Sequence, residues 1–146
     1  LFKFINIHPS AEARLTFQGN VAGGSGYNET ITSSYFQADH PESDSHTSLE
    51  YVASQDQAQG TSFQALCQSI GVQSDNSGAG ILHLFSPAST TYMKHFYSRV
   101  SNGHNSNKGQ DCFAAGYGNT TSAVDAVQFK MTSGNFDGVI QLYGIS

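Results

Sequence analysis

The chain has 146 residues, a length typical of one domain with one hydrophobic core. Six Lys and Arg against eleven Asp and Glu give a formal net charge of −5, which excludes a protein built to bind nucleic-acid phosphates. Charged residues make up 12% of the sequence, about half the usual share, so the surface is predicted to be polar but weakly charged.

The hydropathy of the chain and its first residues are also informative. No window approaches the roughly 20 apolar residues that a membrane-spanning helix requires, so we expect no membrane partner. The chain begins with the apolar run LFKFINI and not with Met. Because the chain does not begin with Met, we expect an upstream N-terminal segment to be missing. With no internal repeat or linker, residues 1–146 are expected to form a single domain, which the pattern below predicts to be a β-sandwich.

Short runs with period-two alternation recur along the chain, as expected for β-strands. In chain order they are RLTFQ (14–18), ETITSSYFQA (29–38), TSLEYVA (47–53), GILHLF (80–85), TTYMKHFYSRV (90–100), AVQFKMT (126–132) and GVIQLYG (138–144). Segments of turn chemistry separate them, namely 20–28, 38–46, 54–60, 72–80 and 101–110. This pattern predicts an all-β fold, an antiparallel β-sandwich that is jelly-roll-like.

One segment fits two structures. In TSFQALCQSIGV (61–72), Phe63, Leu66, Cys67 and Ile70 match the helical spacing i, i+3, i+4, i+7. A short helix and a bent strand both satisfy this pattern. The strand is favoured because β runs lie on either side.

The C-terminal stretch VDAVQFKMTSGNFDGVIQLYGIS (124–146) has the pattern of a β-hairpin, with two apolar runs around a turn rich in Ser, Gly, Asn and Asp. We expect the two runs to pair in the centre of one sheet. The side chains expected to point into the sandwich are Val127, Phe129, Met131, Ile140 and Leu142.

The densest group of possible metal ligands is ADHPESDSH (38–46). It contains Asp39, His40, Glu42, Asp44 and His46. The group has neither the HExxH spacing of a zinc site nor the alternating Asp pattern of an EF-hand loop. A solvated loop is therefore the favoured interpretation, and a metal site is the alternative.

Two further pairs of side chains could interact, one of histidines and one of cysteines. His83 and His95 lie on runs that can form a hairpin around SPASTT, where they would face each other across strands. Two half-exposed strand residues are the favoured interpretation. Cys67 and Cys112 lie 45 positions apart without metal-type spacing, and two buried thiols are favoured over one disulfide.

No pattern for catalysis emerges. GGSG (23–26) lacks the GxSxG spacing, and GAGILH (78–83) lacks the third glycine of a nucleotide-binding GxGxxG. A carboxylate pair such as Asp111 with Asp125 cannot be placed from sequence. We expect a non-enzymatic protein without a cofactor, and no catalytic, cofactor-binding or metal residue is assigned.

Several blocks together carry a family resemblance. LFKFINIHPS, TFQGN, GGSGYNETITSSYFQADH, DQAQGTSFQAL, ILHLFSPASTTYMKHF and NTTSAVDAVQFKMTSGNFDGVIQLYGIS occur in the order found in a family of virion structural proteins of tailed bacteriophages. The chain resembles the tail-fibre or capsid-decoration type, as in marine phages, over essentially its whole length. Each block alone is ordinary hairpin chemistry, and the ordered succession is more specific.

The resemblance implies a virion location and a structural role, in which the protein decorates the capsid or forms part of a tail or head fibre. Its partners would be copies of itself, with the trimer frequent in fibres, and a larger capsid or tail protein. The resemblance also implies a strand-forming stretch before Leu1. Assembly in the bacterial cytoplasm would keep Cys67 and Cys112 reduced.

The alternative function is a carbohydrate- or host-receptor-binding module, whose partner would be a host surface glycan. Tyr27, Tyr117 and Phe136 lie near predicted turns, where their rings could stack on sugars. The favoured interpretation is that these aromatic residues cover the ends of the sandwich. A hydrolase is a third possibility, which would require a cleft with two carboxylates at glycosidase separations.

Overall fold

A computed structural model describes residues 1–145, and within this range the chain forms ten β-strands and no helix. The strands are β1 (Phe2–Pro9), β2 (Leu15–Val21), β3 (Ile31–Pro41), β4 (Ser48–Tyr51), β5 (Gln64–Ala65), β6 (Gly78–Leu84), β7 (Lys94–His104), β8 (Lys108–Gly118), β9 (Val124–Met131) and β10 (Phe136–Leu142). The predicted all-β class is confirmed.

The strands form two antiparallel sheets of unequal width. The large sheet has seven strands in the order β10-β1-β6-β7-β8-β3-β4, and the small sheet has three in the order β5-β2-β9. The small sheet packs on one face of the large one, which confirms the sandwich. Because three strands cannot cover seven, the width of the large sheet leaves part of its surface without a second layer.

The core lies between the two sheets and is rich in aromatic side chains. Phe129 of β9 meets Phe2 and Phe4 of β1 edge to face, with ring centroids 5.0 and 5.2 Å apart. Phe17 of β2 makes the same type of contact with Phe96 of β7 at 4.9 Å. These contacts connect the sheets, and edge-to-face pairs stabilise a core beyond the area they bury.

Strand β7 shows how the sequence determines which face is covered. Lys94, Phe96, Ser98, Val100 and Asn102 are buried, and the alternate residues from His95 to Ser101 are exposed. Side chains of a strand point to opposite faces with a period of two. The buried set faces the small sheet, and the exposed set therefore marks the outer face of the large sheet.

The structure contradicts the predicted C-terminal hairpin. β9 pairs with β2 in the small sheet, and β10 pairs with β1 in the large sheet. Both are edge strands and not central ones. Met131 is buried and Val127, Phe129 and Ile140 pack against the core, so these four side chains point into the sandwich as predicted. Leu142 lies on the same side of its sheet but is 71% exposed.

The physical reason is that the turn residues cross from one sheet to the other. The connection at 132–135 runs beside the equivalent connection between β1 and β2. The Ser10 N–H donates to the Asn135 carbonyl at 2.8 Å, and the Thr132 N–H donates to the Arg14 carbonyl at 3.0 Å. The two connections between the sheets run side by side and hydrogen-bond to each other. They pair backbone N–H and C=O groups that would be paired within the turn of a hairpin.

The segment 61–72 is extended, which confirms the strand interpretation over the helix. Gln64 and Ala65 form β5 against β2, and Ile70 forms an isolated bridge with Ala13. Leu66, Cys67 and Ile70 are fully buried. The helical spacing arose because a bent, irregular segment can also bury residues at intervals of three and four.

Cys67 and Cys112 are both buried and both free, in agreement with the interpretation as two buried thiols. Burial raises the pKa of the Cys67 thiol to about 12, and it also raises the pKa of Cys112. The Cys112 thiol donates to the Asn102 side-chain oxygen at 3.7 Å. Since the thiolate is the reactive form, both residues should be inert in the folded protein.

We expect neither thiol to react with Ellman's reagent at pH 8 in the folded state, and both to react after denaturation in urea, because unfolding restores water to the sulfur atoms. The measurement is a thiol titration with and without denaturant. Rapid labelling of the folded protein would contradict burial. Two missing thiols in urea without reductant would show a disulfide.

Candidate functional site

The large sheet carries a row of exposed aromatic side chains on the face away from the small sheet. We call this surface the outer aromatic face. It is defined by side chains on or directly after β6, β7, β8, β3 and β4, namely His83, Phe85, Tyr97, Arg99, Phe113, Phe36 and Tyr51.

Strand register brings these residues together. Arg99 lies opposite Phe113, Phe113 opposite Phe36, and Phe36 opposite Tyr51, so one row crosses four strands. His83 lies opposite Tyr97 in the neighbouring row. Directly opposed residues on adjacent strands are the closest side-chain neighbours in a sheet, and aromatic pairs at such positions stabilise it.

Two ring pairs on this face are stacked. The Phe36 and Phe113 ring centroids are 4.7 Å apart with the planes 7° from parallel, and those of His83 and Tyr97 are 4.6 Å apart at 15°. Parallel rings come this close only face to face. Because the partners lie side by side on adjacent strands, the rings stand upright on the sheet and present their edges to water.

A charged pair is embedded in the row. The Arg99 guanidinium carbon lies 5.0 Å from the centroid of the Phe113 ring. The same guanidinium donates to both oxygens of Asp111, at 2.6 Å from Nη2 and 3.1 Å from Nε. The bidentate geometry fixes the guanidinium plane, and the contact with Phe113 adds a cation–π attraction.

The aromatic side chains remain substantially exposed in the single chain. Phe36 is 41% exposed, Tyr97 42% and Tyr51 56%. Isolated apolar residues on a surface are common, but a continuous aromatic surface is the usual mark of an interaction site. The outer aromatic face is therefore the candidate functional site.

A second apolar region lies at the opposite edge of the large sheet. Leu142 lies opposite Phe2, on the side of the sheet that faces the core, yet it is 71% exposed because the small sheet ends at β9. A groove of about 950 Å³ lies beside it, between β9 and the start of β1. Its walls include Leu84, Val127 and Ile145 and also His83, Phe85 and Tyr97, so the groove continues into the outer aromatic face.

The structure places the predicted ligand group only partly in a solvated loop. Asp39 is in β3 and 8% exposed, and the Lys108 ammonium donates to its Oδ2 at 2.6 Å. Ser48 also donates to this carboxylate, and His46 lies 3.8 Å from it. The solvated-loop interpretation was thus wrong for Asp39, because the cross-strand lysine allows the carboxylate to be buried.

The rest of that group remains at the surface. His40 and the exposed Asp44 form a pair with 2.9 Å between Nε2 and Oδ1, and Glu42 is exposed in the turn after β3. Among residues 1–145, no group of three or more His, Cys, Asp or Glu side chains is arranged to hold a metal ion.

The Asp39 ion pair makes stability depend on pH. Hydrogen bonds from Lys108 and then Ser48 hold the pKa of the Asp39 carboxyl below its usual value of 3.8. A carboxyl whose pKa is lower in the folded state stabilises the protein above the unfolded-state pKa. This contribution is lost as the pH falls through the folded-state pKa.

We expect Asp39→Asn to lower the free energy of unfolding by about 1.5–3 kcal/mol at pH 7, because hydrogen bonds to a charged group are lost. The difference from the unsubstituted protein should shrink below about pH 4. Urea denaturation at pH 7, 5 and 3 measures both effects. Asp44→Asn, at an exposed position, is the control, with an expected change within about 0.5 kcal/mol. A difference that is constant with pH would contradict this assignment.

His83 and His95 do not face each other. The hairpin between β6 and β7 is present, but its register places His83 opposite Tyr97, and the Phe85 N–H donates to the His95 carbonyl at 2.9 Å. His83 belongs to the outer aromatic face, and His95 contacts the Tyr117 ring at 5.8 Å. The two histidines therefore lie diagonally on the same side of the sheet and are not directly opposed.

The three aromatic residues considered for sugar binding are not brought together. Tyr27 lies half-buried in the connection between β2 and β3, Tyr117 lies near the end of β8, and Phe136 begins β10 and packs against the core. Asp111 and Asp125 lie on different sheets. The residues of the outer aromatic face went unrecognised because only strand pairing assembles them.

Comparisons with protein-family models, with curated proteins and with solved structures found no match to this chain. In the part of the chain that the structure describes, no helix is long and apolar enough to cross a membrane.

Proposed function

We propose that this chain is a non-enzymatic structural protein of a tailed-bacteriophage virion, which decorates the capsid or forms part of a tail or head fibre by symmetric self-assembly. The observation that carries the proposal is the outer aromatic face, where several aromatic side chains on one side of the large sheet stay partly in water in the single chain. Burial of such a surface is the main driving force for association between proteins.

Two further properties of the chain support the proposal of a structural protein that assembles in many copies. Charged residues are only 12% of the sequence, so neighbouring copies meet little electrostatic repulsion. The large sheet consists of seven strands with long, regular ladders between β7, β8 and β3, which provide a stiff platform. The jelly-roll arrangement and the virion location implied by the resemblance are part of this proposal.

The partners under this proposal are copies of the chain itself and a larger capsid or tail protein. Closed symmetry requires that each copy uses the same contacts. The rival function as a glycan-binding module needs exposed ring faces, and in the two stacked pairs one face of each ring is covered by its partner.

The test is cryo-electron microscopy of purified particles, combined with mass spectrometry to show that the chain is present in them. We expect ordered copies on the capsid lattice or along a fibre. A chain that is absent from every particle and monomeric in solution would overturn the proposal, and a glycan array would then be the next experiment.

A further inference from the structure

We infer that the outer aromatic face is covered by a second copy of this chain, and that it is a protein interface and not a sugar-binding surface. The inference rests on the proposed function, which supplies many identical copies at high local concentration. It goes further by assigning the contact to one face and by naming the residues that form it.

Ring orientation argues against a sugar as the occupant. A sugar ring stacks on an aromatic side chain through the flat face of the aromatic ring. In the row across β7, β8 and β3, one face of Phe113 contacts Phe36 and the Arg99 guanidinium also lies over this ring. The His83 and Tyr97 rings likewise face each other. The second faces of Phe36 and Tyr97 point along the sheet, towards Tyr51 and Ala115 on the adjacent strands. The ring edges are therefore what a molecule approaching the sheet meets first, and they can pack against the side chains of another protein in edge-to-face contacts.

The charge on this face also fits a second copy. Within the described part of the chain, Arg99 and Asp111 are the only Lys, Arg, Asp or Glu at outward positions of β6, β7, β8, β3 and β4. They neutralise each other through the bidentate contact. Asp56 lies at the β4 edge of the face, where its carboxylate accepts a hydrogen bond from the Tyr51 hydroxyl. The centre of the face is therefore neutral although the chain carries −5, so two copies can meet there without repulsion between like charges.

The area of the face is sufficient for a specific contact. Five strands at a spacing of about 4.8 Å and about eight residues of about 3.3 Å each give roughly 600 Å² per copy. Two such faces bury roughly 1,200 Å², which reaches the lower end of stable protein–protein interfaces. Sheets that pack face to face lie about 10 Å apart and interdigitate aromatic side chains of this size.

The first experiment replaces the central stacked pair. Phe36→Thr combined with Phe113→Thr removes both rings but keeps residues that favour strands. We expect the dissociation constant of the oligomer to rise at least about tenfold, because aromatic residues at the centre of an interface carry much of the binding energy. Sedimentation velocity over a concentration series measures this change.

The matched control is Val72→Thr. It also removes an exposed apolar side chain, 44% exposed, but in the loop between β5 and β6 and not on the outer aromatic face. The control should leave the dissociation constant unchanged. If the control dissociates the oligomer and the double variant does not, the interface lies at that loop and the inference is wrong.

A second measurement does not depend on how well the double variant folds. Ser34→Cys places a thiol on the exposed side of β3, beside the aromatic rows, and Ser74→Cys places one in an exposed loop. The native thiols are buried and stay silent. Maleimide labelling at position 34 should slow at least about tenfold from dilute to concentrated protein, and labelling at position 74 should not change.

The outcomes separate the inference from the proposed function. An oligomer or particle-bound chain whose labelling at position 34 does not depend on concentration overturns the inference and leaves the structural role intact. A chain that is monomeric at every concentration and absent from particles overturns both. A monomer whose outer aromatic face binds oligosaccharides, detected by a glycan array and lost in the double variant, assigns the face to sugars instead.

Discussion

Phe4→Ala is expected to lower the free energy of unfolding by about 3–5 kcal/mol, a large part of the stability of a domain of this size. Phe4 is 1% exposed and lies on β1, between β10 and β6. Its ring meets Phe129 of the small sheet at 5.2 Å. The substitution removes a contact between the sheets and leaves a cavity that the surrounding strands can close only partly.

Lys3→Ala is the matched control, since Lys3 is the preceding residue of the same strand and its side chain is exposed. Its expected effect is within about 0.5 kcal/mol. Urea denaturation followed by circular dichroism measures both variants. Equal losses for the two would mean that β1 does not have the inward and outward faces described here.

Gly116→Ala is expected to lower the free energy of unfolding by about 3 kcal/mol, near the upper end for an overpacked site. Gly116 lies on β8 opposite Ser33 of β3. An added Cβ would lie 2.3 Å from the Thr32 carbonyl oxygen and 2.8 Å from the Ser33 Cα. Both are backbone atoms of the paired strand, so relief requires separation of β8 from β3.

Gly109→Ala is the control on the same strand, and it is expected to raise the free energy of unfolding instead of lowering it. A Cβ at position 109 meets nothing within 4 Å, and the variant should gain about 0.4–1 kcal/mol because the unfolded chain loses freedom. The comparison by urea denaturation uses one chemical change at two positions. A loss at position 109 as large as at 116 would show that the close approach of β3 is not the cause.

The predicted strands show how far local pattern extends. The runs around Leu15, Ile31, Leu82 and Phe96 are strands in the structure. In the runs around Ile31 and Phe96, residues on alternate sides of the strand meet different environments, whereas residues 15–18 are buried on both sides. The alternation of apolar and polar residues can be recognised within each run, without knowing which strands pair with it. The all-β class followed from the repetition of such runs.

Strand β8 shows where local pattern fails. Its sequence KGQDCFAAGYG contains three glycines and two alanines, residues that are uncommon in strands, and part of it was predicted as a turn. It is nevertheless central in the large sheet, between β7 and β3. Small residues fit there because Ala114 and Gly116 face a core filled by Tyr35 and Phe96, so the neighbours supply the volume that β8 lacks.

The candidate site was harder to predict from the sequence than the fold was. Phe36, Phe113 and Arg99 are separated by up to 77 positions and become neighbours only through the register of three strands. In the sequence, histidines, carboxylates and loop aromatics stand out instead, because those types are recognised singly. An exposed aromatic row has no local signature, since the same residues would serve a core equally well.

The sequence by itself determined that the chain is all-β, that its surface is weakly charged, and that Leu15, Phe17, Leu82 and Phe96 alternate with polar residues. Only the tertiary structure decided that β9 and β10 belong to different sheets, that Asp39 is buried with Lys108, and that the aromatic rows lie on an uncovered face. The physical reason is that alternation is a property of neighbouring residues along the chain. Pairing and coverage depend on contacts between residues far apart in sequence, whose free energies are settled only when all strands are in place.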